Sequence, residues 1–400
     1  MNNFPTVKLK FKRDVPVRAG HPWIFSNAVE SKVTLEPGDL VRVESSSGEF
    51  LGIGMWNPLT SIRIRLLTRE AQVSIDTDFF SRQFSRLDDM KRRLLPADTN
   101  GYRLCHGDAD SLPGLIIDRY ADVFVFQIHT LGMEQFREMI VSALQKMFKP
   151  KAIVERSDVD ARRVEGLKSM PVEVYCGRVD EPVVFKENGY SFCADVLKGQ
   201  KTGFFLDQRD ARLRISGLAK DRKVLNLFSY SAASSVYCAL GGAKSVLSVD
   251  TSLAALELGK KNFGLNGLDV SESRFEFVQA NVFELLASRE LECYGFDLII
   301  CDPPPLTKSR ANAASALKMY TRINTRCLSL LAEGGILATS SCSGSISSEQ
   351  FRDVLRLAAG YAGRDARIIE NLGQPFDHTD RIAFPEGRYL KTTILEVVKS

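Results

Sequence analysis

The 400-residue chain has no apolar run approaching the roughly 20 residues needed to cross a bilayer. Its opening segment, MNNFPTVKLKFKRD, carries charge with no apolar stretch behind it. Neither a membrane span nor a secretory signal is expected, and the cytoplasm is the default location. None of the eight cysteines forms a C-x-x-C pair, and the four histidines are scattered. That spacing argues against a metal site and a disulfide framework, and leaves the thiols reduced. Internal repeats and low-complexity tracts are missing as well. Charge of either sign is not in excess: 53 basic and 49 acidic residues leave a net +4. Such a balance permits a polyanionic partner without demanding one. No G-x-G-x-x-G loop occurs, which disfavours a dinucleotide-dependent dehydrogenase or a nucleoside triphosphate enzyme.

What is present divides into three parts. Residues 1–72 hold short alternating or β-branched runs, VKLKF, DLVRVESS, FLGIGMW and SIRIRLLT, punctuated at Gly38-Asp39 and Gly48-Glu49. This pattern predicts a small β-barrel or sandwich. It carries a basic cluster of Lys8, Lys10, Lys12, Arg13 and Arg18, and a later pair, Arg63 and Arg65. Residues 73–190 mix the amphipathic patterns FFSRQFSRLDDMKRRLL and EQFREMIVSALQKMF with strand-like LPGLIIDRY, DVFVFQIH, KAIVERS and EPVVFKENGYSFCADV, an α+β domain. Residues 191–400 alternate strand and helix. KVLNLFS, SVLSVD, RFEFVQA, FDLIICD and ILATSSC read as strands, and a helix near MYTRINTRCLSLLAEGG precedes the last of these. FRDVLRLAAGYA adds a helix, and RYLKTTILEVVKS a final strand. Repeated β-α units imply a doubly wound α/β sheet, in which ligands bind beyond the carboxyl ends of the strands.

Those strand ends carry the chemistry. After KVLNLFS comes Phe228-Ser229-Tyr230-Ser231-Ala232-Ala233-Ser234, small and polar but without glycine. It suits a ligand lacking a pyrophosphate. Asp250 ends the next strand, 22 residues after Phe228. A carboxylate there can accept both hydroxyls of a ribose, or can cap the helix that follows. Asn281 ends the third strand and serves either an adenine edge or a plain turn. The fourth ends in Cys301-Asp302-Pro303-Pro304-Pro305, where prolines stiffen the backbone and free carbonyls to hold an exocyclic amine. The fifth ends in Thr339-Ser340-Ser341-Cys342-Ser343-Gly344. A thiol at that edge faces the cleft in a polar setting, as a reactive cysteine requires; the alternative is a buried, inert thiol. Cys238 and Cys327 fall in helical patterns and read as packing.

With these motifs in view, the chain resembles the bacterial large-subunit ribosomal RNA (cytosine-C5)-methyltransferases of the RlmI type. GHPWIFSNAV, GDLVRV and FLGIGMWNP resemble the family's PUA-like RNA-binding domain. YRLCHGDADSLPGLIIDRY and ERSDVDARRVEGL resemble its central domain. GQKTGFFLDQRDAR, VLNLFSYS, SVDTS, CDPPP, SSCSGS and FPEGRYLK resemble its catalytic part. The resemblance implies a Rossmann-like class I methyltransferase domain using S-adenosylmethionine (SAM), with RNA as partner, and leaves room for a homodimer. It implies that Lys201, Thr202, Phe204, Asn226, Phe228, Ser229, Tyr230, Asp250, Ser252, Asn281, Asp302 and Pro303 line the SAM pocket. It further implies that Asp302 orients a cytosine and that Cys342 attacks it. Three departures stand out. Ala232 and Ala233 replace glycines of a usual F-S-Y-T-G-G loop, Asn281 replaces an aspartate, and Pro305 replaces a basic residue. Each adds bulk or removes charge near the cofactor or the RNA. They keep open a second reading, an RNA-binding assembly protein with weak or lost catalysis, and a third, a methyltransferase acting on another base.

Overall fold

The computed structural model describes residues 4–30, 34–307 and 312–398. Met1–Asn3 of the expected amino-terminal segment and Lys399–Ser400 of the last expected strand lie outside them. The chain forms two compact units. One comprises Met1–Gly189, Ala194–Leu206 and Phe376–Gly387, the other Tyr190–Cys193, Asp207–Pro375 and Arg388–Ser400. No helix among the described residues is long and apolar enough to cross a membrane.

The first unit begins with β1 (Thr6–Lys8), the short helix α1 (Val15–Arg18), β2 (Trp23–Phe25), β3 (Leu40–Glu44), β4 (Phe50–Trp56) and β5 (Ile62–Thr68). Their order is β1-β3-β4-β5-β2. A bridge from Leu9 to Val29 joins the two edges and closes the sheet into a barrel, which leaves few unpaired edge groups. Alternate residues point inward: Val7, Ile24, Val41, Val43, Ile64 and Leu66 form its core. At Gly54 a Cβ would stand 2.5 Å from Ile64 Cγ2, so the β4–β5 approach requires glycine.

The same unit continues with α2 (Thr77–Arg92), β6 (Gly101–His106), β7 (Leu115–Tyr120), β8 (Val123–Ile128), α3 (Leu131–Glu134), α4 (Arg137–Phe148), β9 (Ala152–Glu155), α5 (Ala161–Val164) and β10 (Glu173–Gly177). A five-stranded sheet of order β10-β9-β8-β7-β6 results. Asp76 caps α2 by accepting the Phe79 N–H at 2.8 Å. Phe80 and Phe84 of α2 and Ile140 and Leu144 of α4 bury against Leu115, Ile117, Phe124 and Phe126 of the strands. Lys91 is fully buried, donating to Asp110 Oδ2 at 2.6 Å and to the Leu104 carbonyl at 3.0 Å. The run EPVVFKENGYSFCADV is two strands rather than one, β11 (Val183–Glu187) and β12 (Tyr190–Ala194). Asn188 and Gly189 between them have φ of 52° and 83°, the left-handed pair of a tight hairpin turn.

The second unit is built from α6 (Arg209–Ser216), β13 (Lys223–Leu227), α7 (Ala233–Leu240), β14 (Ser245–Asp250), α8 (Leu253–Leu265), β15 (Phe275–Gln279), α9 (Val282–Ala287), β16 (Phe296–Cys301), α10 (Ala313–Leu330), β17 (Leu331–Ser341), α11 (Ser348–Tyr361), β18 (Asp365–Leu372) and β19 (Lys391–Val398). The strand order is β15-β14-β13-β16-β17-β19-β18. β13 to β17 run parallel, and β19 inserts antiparallel between β17 and β18. Along β13, Leu225 and Leu227 bury with residues of α9, α10 and α11, whereas Asn226 bonds to α7. The sheet is therefore covered on both faces, as its near-continuous apolar strands require. Winding reverses at β13, flanked by β14 and β16, and ligand crevices open at such reversals.

Two differences from the sequence expectation have physical causes. LAEGG belongs to the start of β17, not to the preceding helix, because α10 ends at Leu330 and Gly334 adopts φ 75°. β18 was not expected: it is an edge strand with mostly exposed side chains, so it carries little hydrophobic alternation.

Candidate active site

At the end of β13 the chain turns at once. Phe228, Tyr230 and Ala232 have φ of 58°, 46° and 52°, so every second residue is left-handed. Such a conformation costs an L-residue roughly 1–2 kcal/mol. Of the two alanines that replace glycines, only Ala232 bears this strain; Ala233 opens α7. The turn is fastened to β14, with Ser229 N–H donating to the Val249 carbonyl at 3.0 Å and Tyr230 N–H to Asp250 Oδ2 at 2.8 Å. Asp250 Oδ1 accepts the Ser252 N–H at 2.9 Å. Each carboxylate oxygen keeps a lone pair for a further donor. The hydroxyls of Ser229 and Ser231 are buried and have no hydrogen-bond partner among the described residues, a costly arrangement unless a ligand fills it. The Phe228 ring meets Phe283 edge-on at 5.5 Å between centroids, an apolar wall beside these polar groups. Paired hydroxyl acceptors, orphan hydroxyls and an aromatic wall together fit an adenosine.

Of the other residues expected around the cofactor, Asn226 is buried and donates to Ser235 Oγ at 2.8 Å, and Ser235 meets Ser248 Oγ at 2.8 Å. Its amide thus ties β13 to α7 and β14. Ser252, not Asp250, caps α8, accepting from Ala255 N–H at 3.2 Å. Asn281 caps α9, accepting the Phe283 N–H at 3.0 Å and donating to Glu284 Oε1 at 2.8 Å. Lys201, Thr202 and Phe204 fall in the first unit. There the Thr202 hydroxyl donates to Asp118 Oδ2 at 2.6 Å and meets Tyr120 Oη at 2.8 Å. Phe204 packs edge-on against Phe185 at 5.0 Å, and Lys201 Nζ lies 4.2 Å over the Phe205 ring.

The ends of β16 and β17 bring the remaining expected residues together. Asp302 is half-buried and its Oδ2 accepts from Gln208 Nε2 at 2.8 Å. Pro303 is buried, and its carbonyl lies 4.0 Å from Cys342 Sγ. Cys342 itself is half-buried. Its neighbour Ser343 donates to the Thr307 carbonyl at 3.0 Å. Cys301, by contrast, is wholly buried; hydrogen bonding with Cys327 and burial hold its thiol well above the usual range. Burial alone pushes Cys238 up to about 12. Both read as inert thiols.

Two neighbours of Cys342 escaped the sequence reading. Lys391 opens β19 directly opposite Ser341. Its ammonium donates to the carbonyls of Ser343 at 2.7 Å, Ile346 at 2.8 Å and Tyr389 at 2.8 Å. Burial lowers its pKa to about 8, and the charge of Cys342 acts to raise it. Coulomb coupling is mutual, so the same ammonium favours the thiolate of Cys342. Tyr320 on α10 is buried, and burial pushes its phenol up to about 12, with the charges of Cys342 and Asp302 adding to the rise. A lysine leading an otherwise apolar strand, TTILEVV, was the available signal for Lys391; nothing in α10 marked Tyr320.

Comparison with known proteins places this arrangement. A family model for S-adenosylmethionine-dependent methyltransferases matches residues 165–380, and one for the PUA-like domain matches residues 7–69. The chain is 41% identical over 378 residues to ribosomal RNA large subunit methyltransferase I of Aeromonas salmonicida, covering 94% of this chain and 95% of that one. It is 39% identical over 394 residues to the protein of the same name from Shewanella denitrificans, covering 98% and 99%. Among solved structures, a methyltransferase complexed with SAH superposes with a TM-score of 0.84 at 25% identity, over 98% of this chain and all, 100%, of that one. SAM is accordingly the cofactor. Identity of this extent along nearly the whole length shows that the chain belongs to the ribosomal RNA large subunit methyltransferase I family of SAM-dependent methyltransferases.

Proposed function

We propose that this protein methylates carbon 5 of a cytosine in large-subunit ribosomal RNA through a covalent adduct on Cys342. The observation that carries the reading is the setting of that thiol. It is half-buried at the carboxyl edge of the sheet, between the Asp302-Pro303 turn and an ammonium that has no carboxylate partner. The names of the relatives supply the ribosomal RNA. In the working division of the chain, residues 1–72 engage RNA, 73–190 connect, and 191–400 catalyse.

Bound SAM supplies an electrophilic methyl group. Asp250 takes the ribose hydroxyls, and Phe228, Ser229, Tyr230, Ser252 and Asn281 surround the nucleoside. Asn226 supports the turn from below. The target base leaves its stack to reach the thiol. The Cys342 thiolate forms a bond from Sγ to carbon 6, and the displaced electron pair makes carbon 5 nucleophilic. This splits one difficult step into two. Asp302, protonated or sharing a proton with the base, hydrogen-bonds ring N3, where negative charge builds. Carbon 5 takes the methyl as the sulfonium leaves as a neutral thioether; water then takes the carbon 5 proton, the Sγ–carbon 6 bond breaks and the thiolate returns. Lys391 acts through Cys342 as a positioning residue, holding the loop from Ser343 to Ile346 and favouring the thiolate.

Cys342→Ala is expected to abolish methyl transfer while leaving SAM binding by calorimetry unchanged. RNA carrying 5-fluorocytosine is expected to trap a protein adduct on the Cys342 peptide. A variant that methylates normally, or RNA that leaves no adduct while methylation proceeds, overturns the assignment. The second of these outcomes points to another base or atom.

A further inference from the structure

The first unit holds a pocket of about 210 Å³ whose lining includes Arg69, Arg86 and Arg381. Arg69 follows β5, Arg86 lies on α2, and Arg381 comes from the returning segment Phe376–Gly387. Several other arginines of this unit are matched by carboxylates. Arg18 meets Asp14 and Glu49, Arg65 meets Asp108 and Glu165, and Arg103 meets Asp118. That pairing removes Arg18 and Arg65 from the basic surface expected of the barrel.

The three pocket arginines differ. Among the described residues none of them forms an ion pair. Arg69 donates to the carbonyls of Val17 at 2.7 Å and Leu51 at 3.5 Å, Arg86 to Gln83 Oε1 at 2.9 Å, and Arg381 to Ser111 Oγ at 3.1 Å. A guanidinium has five N–H donors, so most of these point at no protein acceptor. Burial and the nearby charge of Arg381 together lower the pKa of Arg69, the signature of cations brought together without compensation. One carboxylate, Glu70, also lines the pocket, leaving an excess of two positive charges. Neutral acceptors anchor the three guanidinium groups, with Arg69 and Arg86 exposed and Arg381 half-buried.

We propose that this pocket is a binding site for backbone phosphates of the RNA substrate. Forked guanidinium donors match phosphate oxygens, and a pair of cations in excess suits one or two phosphodiesters. Such contacts position RNA without reading its sequence. The proposal rests on the RNA reading above.

The test compares the full-length protein with the Arg69→Gln/Arg86→Gln/Arg381→Gln variant on protein-free large-subunit ribosomal RNA, by filter binding across a salt series. The variant is expected to bind about tenfold or more weakly, with a log–log salt slope smaller by about 2. SAM binding and melting temperature stay unchanged, and an Arg→Lys triple variant recovers most of the slope. Equal affinity and slope overturn the site. So does a variant that binds naked RNA normally but loses binding to a protein-containing particle, which assigns the pocket to an acidic protein. If the unmodified protein itself does not bind RNA, the functional reading fails instead.

Discussion

Two lysines, one buried and one half-buried, set the two units apart. Lys91 lies wholly inside the first unit, on the Asp110 carboxylate. Lys391 is half-buried at the edge of the second, held by three backbone carbonyls and, among the described residues, by no carboxylate, with the charge of Cys342 acting on it. A buried ammonium with a counterion is spent on structure. One held by neutral dipoles keeps its field for a neighbour that gains or loses charge. The same contrast runs more widely. The first unit matches Arg103 to Asp118 and Arg162 to Glu134, whereas the second leaves Ser229 and Ser231 without partners and Ala232 strained.

The largest effect expected from breaking this contrast is in the structural pair. Asp110→Ala strands a buried ammonium, and urea denaturation should show a loss of about 3–5 kcal/mol. A loss under about 1 kcal/mol would mean that Lys91 finds another counterion.

Next comes Lys391→Met. Peptide-resolved alkylation at pH 7 should find Cys342 about tenfold less reactive, equivalent to roughly one pKa unit, with exposed Cys293 as internal reference. Lys391→Arg should restore reactivity. An unchanged Cys342 rate would make Lys391 a loop fastener only. The pH dependence has a definite sign. Lys391 titrates near 8 when folded and at its ordinary value of 10.5 when unfolded. Between these values the unfolded chain binds more protons. The contribution of this group to stability is therefore greatest above 10.5 and is lost as pH falls towards 8. In the methionine variant that slope should vanish from stability measured across the window.

A last test sharpens the contrast at the turn after β13. A Cβ at Gly259 of α8 would stand 2.9 Å from Ala232 Cβ. Gly259→Ala should destabilise by about 1–3 kcal/mol through overpacking and weaken SAM binding by calorimetry. Adding Ala232→Gly should recover most of both. Failure of the second change to help would mean that the methyl at 232 is not what α8 accommodates.

The succession of β-α units was legible because each strand of the second unit is apolar along its length and each helix is amphipathic. The strand ends carrying Asp250, Asp302 and Cys342 followed from that reading. β18 was not legible because an exposed edge strand has no buried face to impose a pattern. The bonds of Thr202 to Asp118 and Tyr120 were not legible either, since they depend on a strand distant in sequence.

Sequence alone thus determined which chemical groups stand at the carboxyl ends of successive parallel strands, because period and punctuation are local properties of the chain. Only the tertiary structure decided what surrounds them. Lys391 reaches the loop of Cys342 because β19 runs antiparallel beside β17 with Ser341 opposite Lys391, and three arginines share a pocket because a late segment returns to the first unit. Strand order and register join residues that no spacing along the chain relates.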